Sequence, residues 1–236
     1  MTHSHNKNFS PLIVVVPAAG VGKRMQATCP KQYLKINHHS ILEHTVFRLL
    51  SHAHINKVIV VINADDEYYD ETELVEHQDV LTVWGGQERV DSVLAGLSAI
   101  DTVIYPWVLV HDAARPCISH LDIDALVKQC RDSDQGGLLA YPVKDTIKQA
   151  NPNQLVNSTV DRSTLWHALT PQMYPTKQLI QAIKQAKKDT VVITDESSAI
   201  EHLGLPSLLV QGSSANIKIT NPEDLALAKF YLTQKT

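Results

Sequence analysis

The sequence predicts an α/β fold with a mostly parallel central sheet. Apolar runs of strand length recur along the 236 residues, and most of them are continuous rather than alternating, as is typical of strands covered on both faces. Apolar residues at helical spacing lie between several of these runs. Because strands that alternate with helices build a sheet with helices on both faces, we predict a doubly wound, Rossmann-like three-layer sandwich.

Each predicted element follows from its own pattern. Apolar runs, most of them β-branched, predict strands at residues 12–16, 58–62, 81–84, 107–110, 137–140, 208–210 and 217–219. Apolar stripes predict helices within residues 41–50, 90–97, 179–183 and 199–203. We expect the last helix to begin after Asn221, an N-cap residue that is followed by Pro222 at the first helical position and by an acid three residues on.

One region, residues 141–172, breaks this rhythm. It is too polar for a core strand, it has no helical stripe, and Asn151-Pro152-Asn153 gives a turn signal between loosely alternating segments. We predict an extended β-hairpin arm that leaves the main sheet, the alternative being a meandering surface loop. Because an isolated two-stranded hairpin is marginal in water, we expect a second copy of the chain to pack against it, giving a homodimer.

Composition excludes several classes of function. The net charge is −4 and no basic run suggests a nucleic-acid partner. No apolar stretch approaches the ~20 residues that span a bilayer, and the polar N-terminus lacks a signal-peptide core, so no membrane association is expected. Cys29, Cys117 and Cys130 are scattered, which argues against a disulfide framework or structural zinc. We interpret Cys29 and Cys117 as packing residues and expect a reducing, cytoplasmic compartment.

The most informative stretch is residues 16–34. An apolar run leads into Pro17-Ala18-Ala19-Gly20, which is followed by Gly22-Lys23-Arg24 and then by Pro30-Lys31. Glycines have no Cβ, so the backbone N–H groups of such a loop can approach a phosphate closely. Lysine and arginine supply charge-assisted donors to phosphate oxygens. We therefore predict a polyanion site, the alternative being a surface turn with solvated cations.

Two familiar phosphate loops do not fit this stretch. A Walker A loop needs glycine where Pro17 stands and Ser or Thr where Arg24 stands. A dinucleotide-binding loop needs a third glycine where Met25 stands. The loop is therefore rich in glycine and cationic without belonging to either class.

Three further segments carry groups suited to nucleotide chemistry. Gly85 and Gly86 stand between a strand and a helix, where backbone groups can recognise a polar ligand, although a plain turn is the alternative. Asp112 follows an apolar strand, where open α/β sheets bind ligands; it is the best Mg²⁺ ligand candidate, and a cap or turn role is the alternative. Lys218 stands inside an apolar run, so it either points at an anion or extends into solvent.

The chain resembles the sugar-nucleotide pyrophosphorylases and cytidylyltransferases, which carry a Gly-x-Gly-x-Arg-Met/Leu loop followed by Pro-Lys. With Pro30-Lys31 so soon after Arg24, it is most similar to the 2-C-methyl-D-erythritol 4-phosphate cytidylyltransferases, and residues 111–116, His-Asp-Ala-Ala-Arg-Pro, also match that family closely. The resemblance covers nearly the full length. It implies a single nucleotidyltransferase domain over residues 1–236, with 141–172 as the protruding arm.

The resemblance also implies a reaction and a set of site residues. The expected reaction transfers CMP from CTP to 2-C-methyl-D-erythritol 4-phosphate, with Mg²⁺, and releases pyrophosphate. The implied catalytic residues are Arg24 and Lys31. The implied nucleotide-binding residues are Pro17, Ala18, Ala19, Gly20, Gly22, Lys23, Gly86, Gln87, Ser92, Ala113 and Lys218. The implied acceptor-binding residues are Asp112, Arg115, Thr146, Arg162, Thr170 and Thr194, with Asp112 also holding the metal.

Many relatives have an acid where this chain has Gln87; a backbone contact to the base at that position tolerates this difference, whereas a side-chain contact does not. Thr146 and Arg162 lie in the arm and are expected to bind the acceptor across the dimer interface. Thr194 is equally well explained as a helix cap.

Three alternatives compete with this interpretation. A ribitol 5-phosphate cytidylyltransferase shares these loops. A glycosyltransferase of similar architecture would carry an Asp-x-Asp motif directly after the strand near residues 107–111, and none stands there; Asp122 and Asp124 lie later, in a predicted helix. A nucleotide-binding regulator has less need for Arg24, Lys31 and Lys218 to converge on one phosphate.

Overall fold

The computed structural model describes residues 10–20 and 29–234. The described strands are β1 Leu12–Pro17, β2 Lys35–Ile36, β3 His39–Ser40, β4 Ile55–Ile62, β5 Val80–Trp84, β6 Trp107–Val110, β7 Gly137–Pro142, β8 Ile147–Ala150, β9 Val156–Val160, β10 Trp166–Pro175 and β11 Leu208–Gln211. The helices are α1 Ile41–Leu50, α2 Arg89–Ser98, α3 His120–Ser133, α4 Thr176–Lys188, α5 Glu196–His202 and α6 Pro222–Thr233. The predicted site residues Gly22, Lys23 and Arg24 lie outside the described residues.

A seven-stranded sheet organises the fold, in the order β11-β7-β10-β6-β1-β4-β5. Strand β1 runs parallel to both of its neighbours, so that Val14 lies opposite Val58 of β4 and Leu109 of β6. The pairs β4–β5 and β7–β11 are also parallel. Strand β10 alone is antiparallel to its neighbours, β6 and β7, within the described sheet. The predicted mostly parallel α/β sheet is therefore confirmed.

Helices cover both faces of this sheet, as the continuous apolar strands predict. In β1, Val14 and Val16 pack into one core with residues of α1 and α3. Ile13 and Val15 point to the opposite face and pack with residues of α2, α4 and α5. All four of these side chains are buried, which explains why no polar residue interrupts the strand.

Capping groups fix where two of the helices begin. Helix α1 starts after Ser40, whose hydroxyl accepts the Glu43 N–H at 3.2 Å while the Glu43 carboxylate accepts the Ser40 N–H at 2.6 Å. Helix α6 begins with Pro222, and the Asn221 N–H donates to the Asp224 carboxylate at 2.9 Å. The predicted start of the last helix is confirmed.

Two predictions from hydrophobic pattern were wrong. Residues 217–219 are not a strand: Ile219 is buried against Ile36 and Ile41, and its N–H donates to the Ala114 carbonyl at 2.9 Å. This short apolar run therefore packs against side chains without joining a strand ladder. Residues 141–142 belong to β7 and residues 166–172 to β10, both in the main sheet, so the arm predicted for 141–172 extends too far at both ends.

The remaining part of that region forms a separate hairpin. Strands β8 and β9 pair antiparallel as a two-stranded sheet, with Ile147 opposite Val160. At its tip, Leu155 and Val156 are 63% and 65% exposed. Most of the surface of these two apolar side chains is therefore in contact with solvent in the single chain.

The described residues contain no helix that is long and apolar enough to cross a bilayer. Cys29, Cys117 and Cys130 are all free thiols, and Cys117 and Cys130 are buried in the apolar clusters. Cys29 is partly buried and packs against the cluster that contains Cys130, so the interpretation of Cys29 and Cys117 as packing residues agrees with the structure.

Candidate active site

Two adjoining clefts open where the carboxyl ends of β1, β5 and β6 meet the start of β10. This edge is where open α/β sheets bind ligands. The first cleft has a volume of about 200 Å³ and is lined by Pro17, Ala18, Ala19, Gly20, Lys31, Gln32, Gly86, Gln87, Glu88, Arg89, Ser92, Asp112, Ala113, Ala114 and Lys218. The second cleft has a volume of about 280 Å³ and is lined by Arg89, Asp112, Arg115, Ala168, Leu169, Thr170, Gln172, Thr194, Asp195 and Lys218. The clefts share Arg89, Asp112 and Lys218.

The loop after β1 is held by Gln32. This side chain is buried, and its Nε2 donates to the Ala18 carbonyl at 2.7 Å and to the Gly20 carbonyl at 3.0 Å. The Ala18 N–H donates in turn to the Val61 carbonyl of β4 at 2.7 Å. The start of the predicted phosphate loop is thus fixed to the sheet.

Lys31 reaches the first cleft from the segment that follows this loop. Its Nζ donates to the Ile219 carbonyl at 2.9 Å, which brings Lys31 to the segment that carries Lys218. Next to it, the Tyr33 hydroxyl donates to the Asp66 carboxylate at 2.7 Å. The contact between Lys31 and Ile219 therefore places Lys31, from near the start of the chain, and Lys218, from near its end, at the same cleft.

The glycine turn before α2 forms the opposite wall of the first cleft. The Gly86 N–H donates to the Ser92 hydroxyl at 3.3 Å, and that hydroxyl lies 3.3 Å from the Glu88 carbonyl, to which it donates. A Cβ added at Gly86 would lie 2.4 Å from the Cβ of Asp91, so only glycine fits this close approach. Gln87 lines the cleft from the same turn.

Asp112 lies where the two clefts meet, among three cationic side chains, and it is only 7% exposed. Its Oδ1 accepts from Arg89 at 3.2 Å, while its Oδ2 lies 2.9 Å from Lys218 Nζ and 3.4 Å from Arg115 Nε. Burial by itself would raise the pKa of Asp112, but Arg89, Lys218 and Arg115 together outweigh burial and hold that pKa well below its usual range. Asp112 is therefore ionised.

Arg89 links Asp112 to a second buried acid. Its Nη1 donates to Glu196 Oε1 at 2.7 Å and its Nη2 to Oε2 at 3.3 Å, a two-pronged contact. Glu196 is 2% exposed and stands at the start of α5. Burial raises the pKa of Glu196 above its ordinary value, although the charge of Arg89 opposes that rise.

His111 supports the second cleft from beneath and is fully buried. Its Nε2 lies 3.0 Å from the Arg115 carbonyl and its Nδ1 lies 3.1 Å from the Thr170 hydroxyl. Because a carbonyl only accepts, Nε2 carries the proton, and the Thr170 hydroxyl therefore donates to Nδ1. Burial lowers the pKa of His111 to about 4, so the ring is neutral near pH 7. The Thr170 oxygen also accepts the Asp112 N–H at 3.0 Å.

Arg115 and Asn216 complete this support. Arg115 Nη1 donates to the Asn216 carbonyl at 2.7 Å, and Asn216 Nδ2 donates to the Thr170 carbonyl at 2.7 Å. Both side chains are buried. The loop after β6, strand β10 and the segment before α6 are therefore joined beneath the second cleft.

The structure brings most of the sequence-predicted residues to these clefts and leaves two away from them. Each described residue predicted to bind the nucleotide lines the first cleft, and Asp112, Arg115, Thr170 and Thr194 line the second. Thr146 and Arg162 are exposed and line neither cleft. The cap of α5 is Asp195, whose carboxylate accepts the Ser198 N–H at 2.9 Å, so Thr194 is not the cap residue.

Sequence reasoning missed several residues that build the site. The sequence motifs assign no role to Gln32, Arg89, His111, Glu196 or Asn216. Gln32 and His111 lie beside residues that the motifs identified, which was the available signal. No local pattern links Glu196 to Arg89, because the two are 107 positions apart.

Asp112 is also the residue best suited to a metal. Among the described residues, no group of three or more His, Cys, Asp or Glu side chains converges as a cation site. Mg²⁺ commonly binds one or two carboxylates and takes its other ligands from substrate phosphates and water. An ionised carboxylate that lines both clefts fits that mode of binding.

A Rossmann-like sheet with a glycine loop, converging cations and one ionised carboxylate at its carboxyl edge has the features of a nucleotidyltransferase. Residues 12–234 match the profile of the IspD family, described as 2-C-methyl-D-erythritol 4-phosphate cytidylyltransferase. The chain belongs to this family. Membership makes it a CTP-dependent cytidylyltransferase of isoprenoid biosynthesis, and the ribitol 5-phosphate alternative is not favoured.

Individual relatives agree with the family match over nearly the whole chain. A 2-C-methyl-D-erythritol 4-phosphate cytidylyltransferase of Colwellia psychrerythraea is 59% identical, covering 94% of this chain and 95% of that protein. One of Vibrio vulnificus is 53% identical, covering 97% and 98%. A crystal structure of the Francisella tularensis enzyme superposes with a TM-score of 0.81 at 36% identity, covering 94% of this chain and all of the other.

Proposed function

We propose that CTP occupies the first cleft and 2-C-methyl-D-erythritol 4-phosphate the second, with transfer at the residues that the clefts share. The observation that carries this assignment is their junction at Arg89, Asp112 and Lys218. A reaction between two bound substrates needs adjoining sites, because holding the reacting atoms in line removes much of the entropic barrier.

The chemistry calls for charge stabilisation and not for a base. A phosphate monoester has a second pKa of about 6, so the acceptor is already mostly a dianion at neutral pH. One of its oxygens attacks the α-phosphorus of CTP, the bond from that phosphorus to the bridging oxygen breaks, and pyrophosphate leaves. Neutral His111 is engaged at both ring nitrogens and is not needed as a proton acceptor.

Cations of the first cleft would stabilise the transferring phosphate. Lys31 and Lys218 line this cleft, and fixed positive groups aimed at developing charge are worth most when they are held in place beforehand. Arg24, together with Gly22 and Lys23, remains a prediction because it lies outside the described residues. Gly86 and Ser92 would recognise the cytosine from the wall of the same cleft.

Mg²⁺ would be held by Asp112 and by phosphate oxygens of the nucleotide. When bound, the ion would neutralise charge on the triphosphate. Arg115 and Thr170 lie on the acceptor side of Asp112 and would bind the phosphate and hydroxyl groups of the acceptor.

The β8–β9 hairpin would complete the acceptor cleft of a second copy. Support comes from the exposure of Thr146 and Arg162, which line neither cleft of their own chain, and from the unpacked tip at Leu155 and Val156. An arginine from the partner copy would suit the acceptor's phosphate.

Cytoplasmic localisation also stays a prediction, in keeping with the three free cysteines.

A pyrophosphate-release assay tests the substrates. We expect release from CTP with 2-C-methyl-D-erythritol 4-phosphate, and little with ATP, GTP or UTP, or with ribitol 5-phosphate as acceptor. Equal release with another triphosphate would contradict the assignment of the base-binding wall. Preference for ribitol 5-phosphate would contradict the acceptor.

Mixing variants tests the shared site. An Arg162→Ala chain and a Lys31→Ala chain should each have low activity, and mixed dimers should regain part of it because one of their two sites is intact. The absence of recovery in confirmed mixed dimers would contradict a site built from both copies.

A further inference from the structure

We propose that Arg89 and Glu196 form a positioning pair that sets the orientation of Asp112 between the two substrates. The proposal rests on the proposed function, since it assigns Asp112 a role in transfer. Neither member of the pair needs to touch the reacting atoms. Their effect would pass through Asp112, which Arg89 contacts directly.

The geometry of Arg89 supports this role. Its guanidinium spans two acids: Nε and Nη2 lie 3.2 Å from Asp112 Oδ1, while Nη1 and Nη2 reach the two oxygens of Glu196. A planar fork with most of its N–H groups engaged has little freedom to rotate. Glu196 therefore fixes the orientation in which Arg89 meets Asp112.

The charge balance points the same way. Lys218 and Arg115 already contact Asp112, so Arg89 is a third cation beside one carboxylate. Glu196 is a buried acid that compensates this third charge. Without Glu196, the guanidinium of Arg89 would be free to rotate. It could then bind both carboxylate oxygens of Asp112, or bind a phosphate in an unproductive position. Either change alters the carboxylate that faces the substrates.

The pair also spans the two sides of the site. Arg89 is the first residue of α2, directly after the turn that carries Gly86, and Glu196 is the first residue of α5, after Thr194. The contact therefore fixes the distance between the wall of the nucleotide cleft and the wall of the acceptor cleft. A displacement of even about 1 Å between reacting groups can cost roughly 100-fold in rate.

A buried ion pair with only a structural role is the competing explanation, and double variants separate the two. Glu196→Gln keeps the shape and removes the charge. We expect it to lower kcat by about 10- to 100-fold, as losses of groups that orient a site residue commonly do. In an Asp112→Asn background the same change should lower kcat by less than about threefold, because residues that act through one another are not additive.

A second variant keeps the test valid if Glu196→Gln folds poorly. Replacing both residues, Arg89→Met with Glu196→Met, removes the unpaired charge, and such replacements are often neutral for stability. We expect the unfolding temperature to return towards that of the unchanged protein while kcat stays at least about tenfold lower. Glu223→Gln, an exposed acid in the first turn of α6, is the matched control and should leave both quantities unchanged.

Different outcomes contradict different claims. If the double methionine variant recovers kcat together with stability, or if Glu196→Gln costs as much in the Asp112→Asn background as alone, the pair is structural. If Asp112→Asn itself retains full kcat, the proposed function of the site is wrong. Loss of kcat in Asp112→Asn with none in Glu196→Gln would overturn only the positioning role.

Discussion

Replacing Lys218 by methionine should lower kcat/KM for CTP by about 30- to 150-fold. Its Nζ lies 2.9 Å from Asp112 Oδ2, at the junction of the two clefts. A phosphate oxygen about 4 Å away would gain roughly 4 kcal/mol from this charge at an effective dielectric constant of 20, and about half of that at 40. Because the side chain is 39% exposed, solvent screens it, and about 2–3 kcal/mol is the appropriate range.

The assay is steady-state pyrophosphate release with CTP and 2-C-methyl-D-erythritol 4-phosphate varied in turn. The loss should fall mainly on kcat, because the charge on the transferring phosphate is redistributed in the transition state. Lys218→Arg should keep part of the activity because it keeps the charge. The matched control is Lys184→Met, a lysine exposed on α4, which should change nothing.

Two results would refute this reasoning. Lys218→Met with kcat within twofold of the unchanged protein would show that the charge does not act on the transferring phosphate. A rise in KM for CTP with constant kcat would show that Lys218 binds the nucleotide equally in the ground state and the transition state.

Three further predictions concern the first cleft and stability. Gln32→Leu should raise KM for CTP about 5- to 30-fold in the same assay, by loss of two hydrogen bonds to the loop; an unchanged KM would contradict the loop-holding role. Gly86→Ala should lower kcat/KM for CTP about 10- to 100-fold, since the added Cβ meets Asp91 at 2.4 Å; full activity would contradict the close approach. Burial lowers the pKa of His52, which hydrogen-bonds to Asp124. The contribution of neutral His52 to the free energy of unfolding is therefore complete above its unfolded pKa of about 6.5, and it declines as the pH falls below that value. In urea unfolding, His52→Gln should therefore lose less stability than the unchanged protein between pH 7.5 and pH 5.5, and equal losses would refute this.

The parallel part of the fold was predictable because its signal is local. A continuous run such as residues 12–16 is fully apolar since both faces of β1 are covered. Strand β10 was not predictable in this way. It contains Thr170 and Gln172, which are buried but bonded to His111 and to residues 195 and 197. A strand whose polar side chains hydrogen-bond to residues distant in the sequence has the same sequence pattern as a surface loop.

The residues of the site also divide into those with a local sequence signal and those without one. Motifs located the glycine loop, the turn before α2 and Asp112, because each combines a strand end with glycine or charge, and they located Lys218 because it is a cation within an apolar run. The pairing of Arg89 with Glu196 depends on the first residues of α2 and α5 meeting in space, which no short segment encodes. Residues 217–219 show the opposite error, since an apolar run there is set by packing against Ile36 and Ile41.

A crystal structure of the chain with CTP and Mg²⁺ would test the central claim most directly. The account predicts cytosine against the Gly86–Ser92 wall, and the α-phosphate within about 4 Å of Lys218 Nζ, on the side of Asp112 that faces the second cleft. A triphosphate bound away from Lys31 and Lys218, or a base lodged in the second cleft, would contradict it.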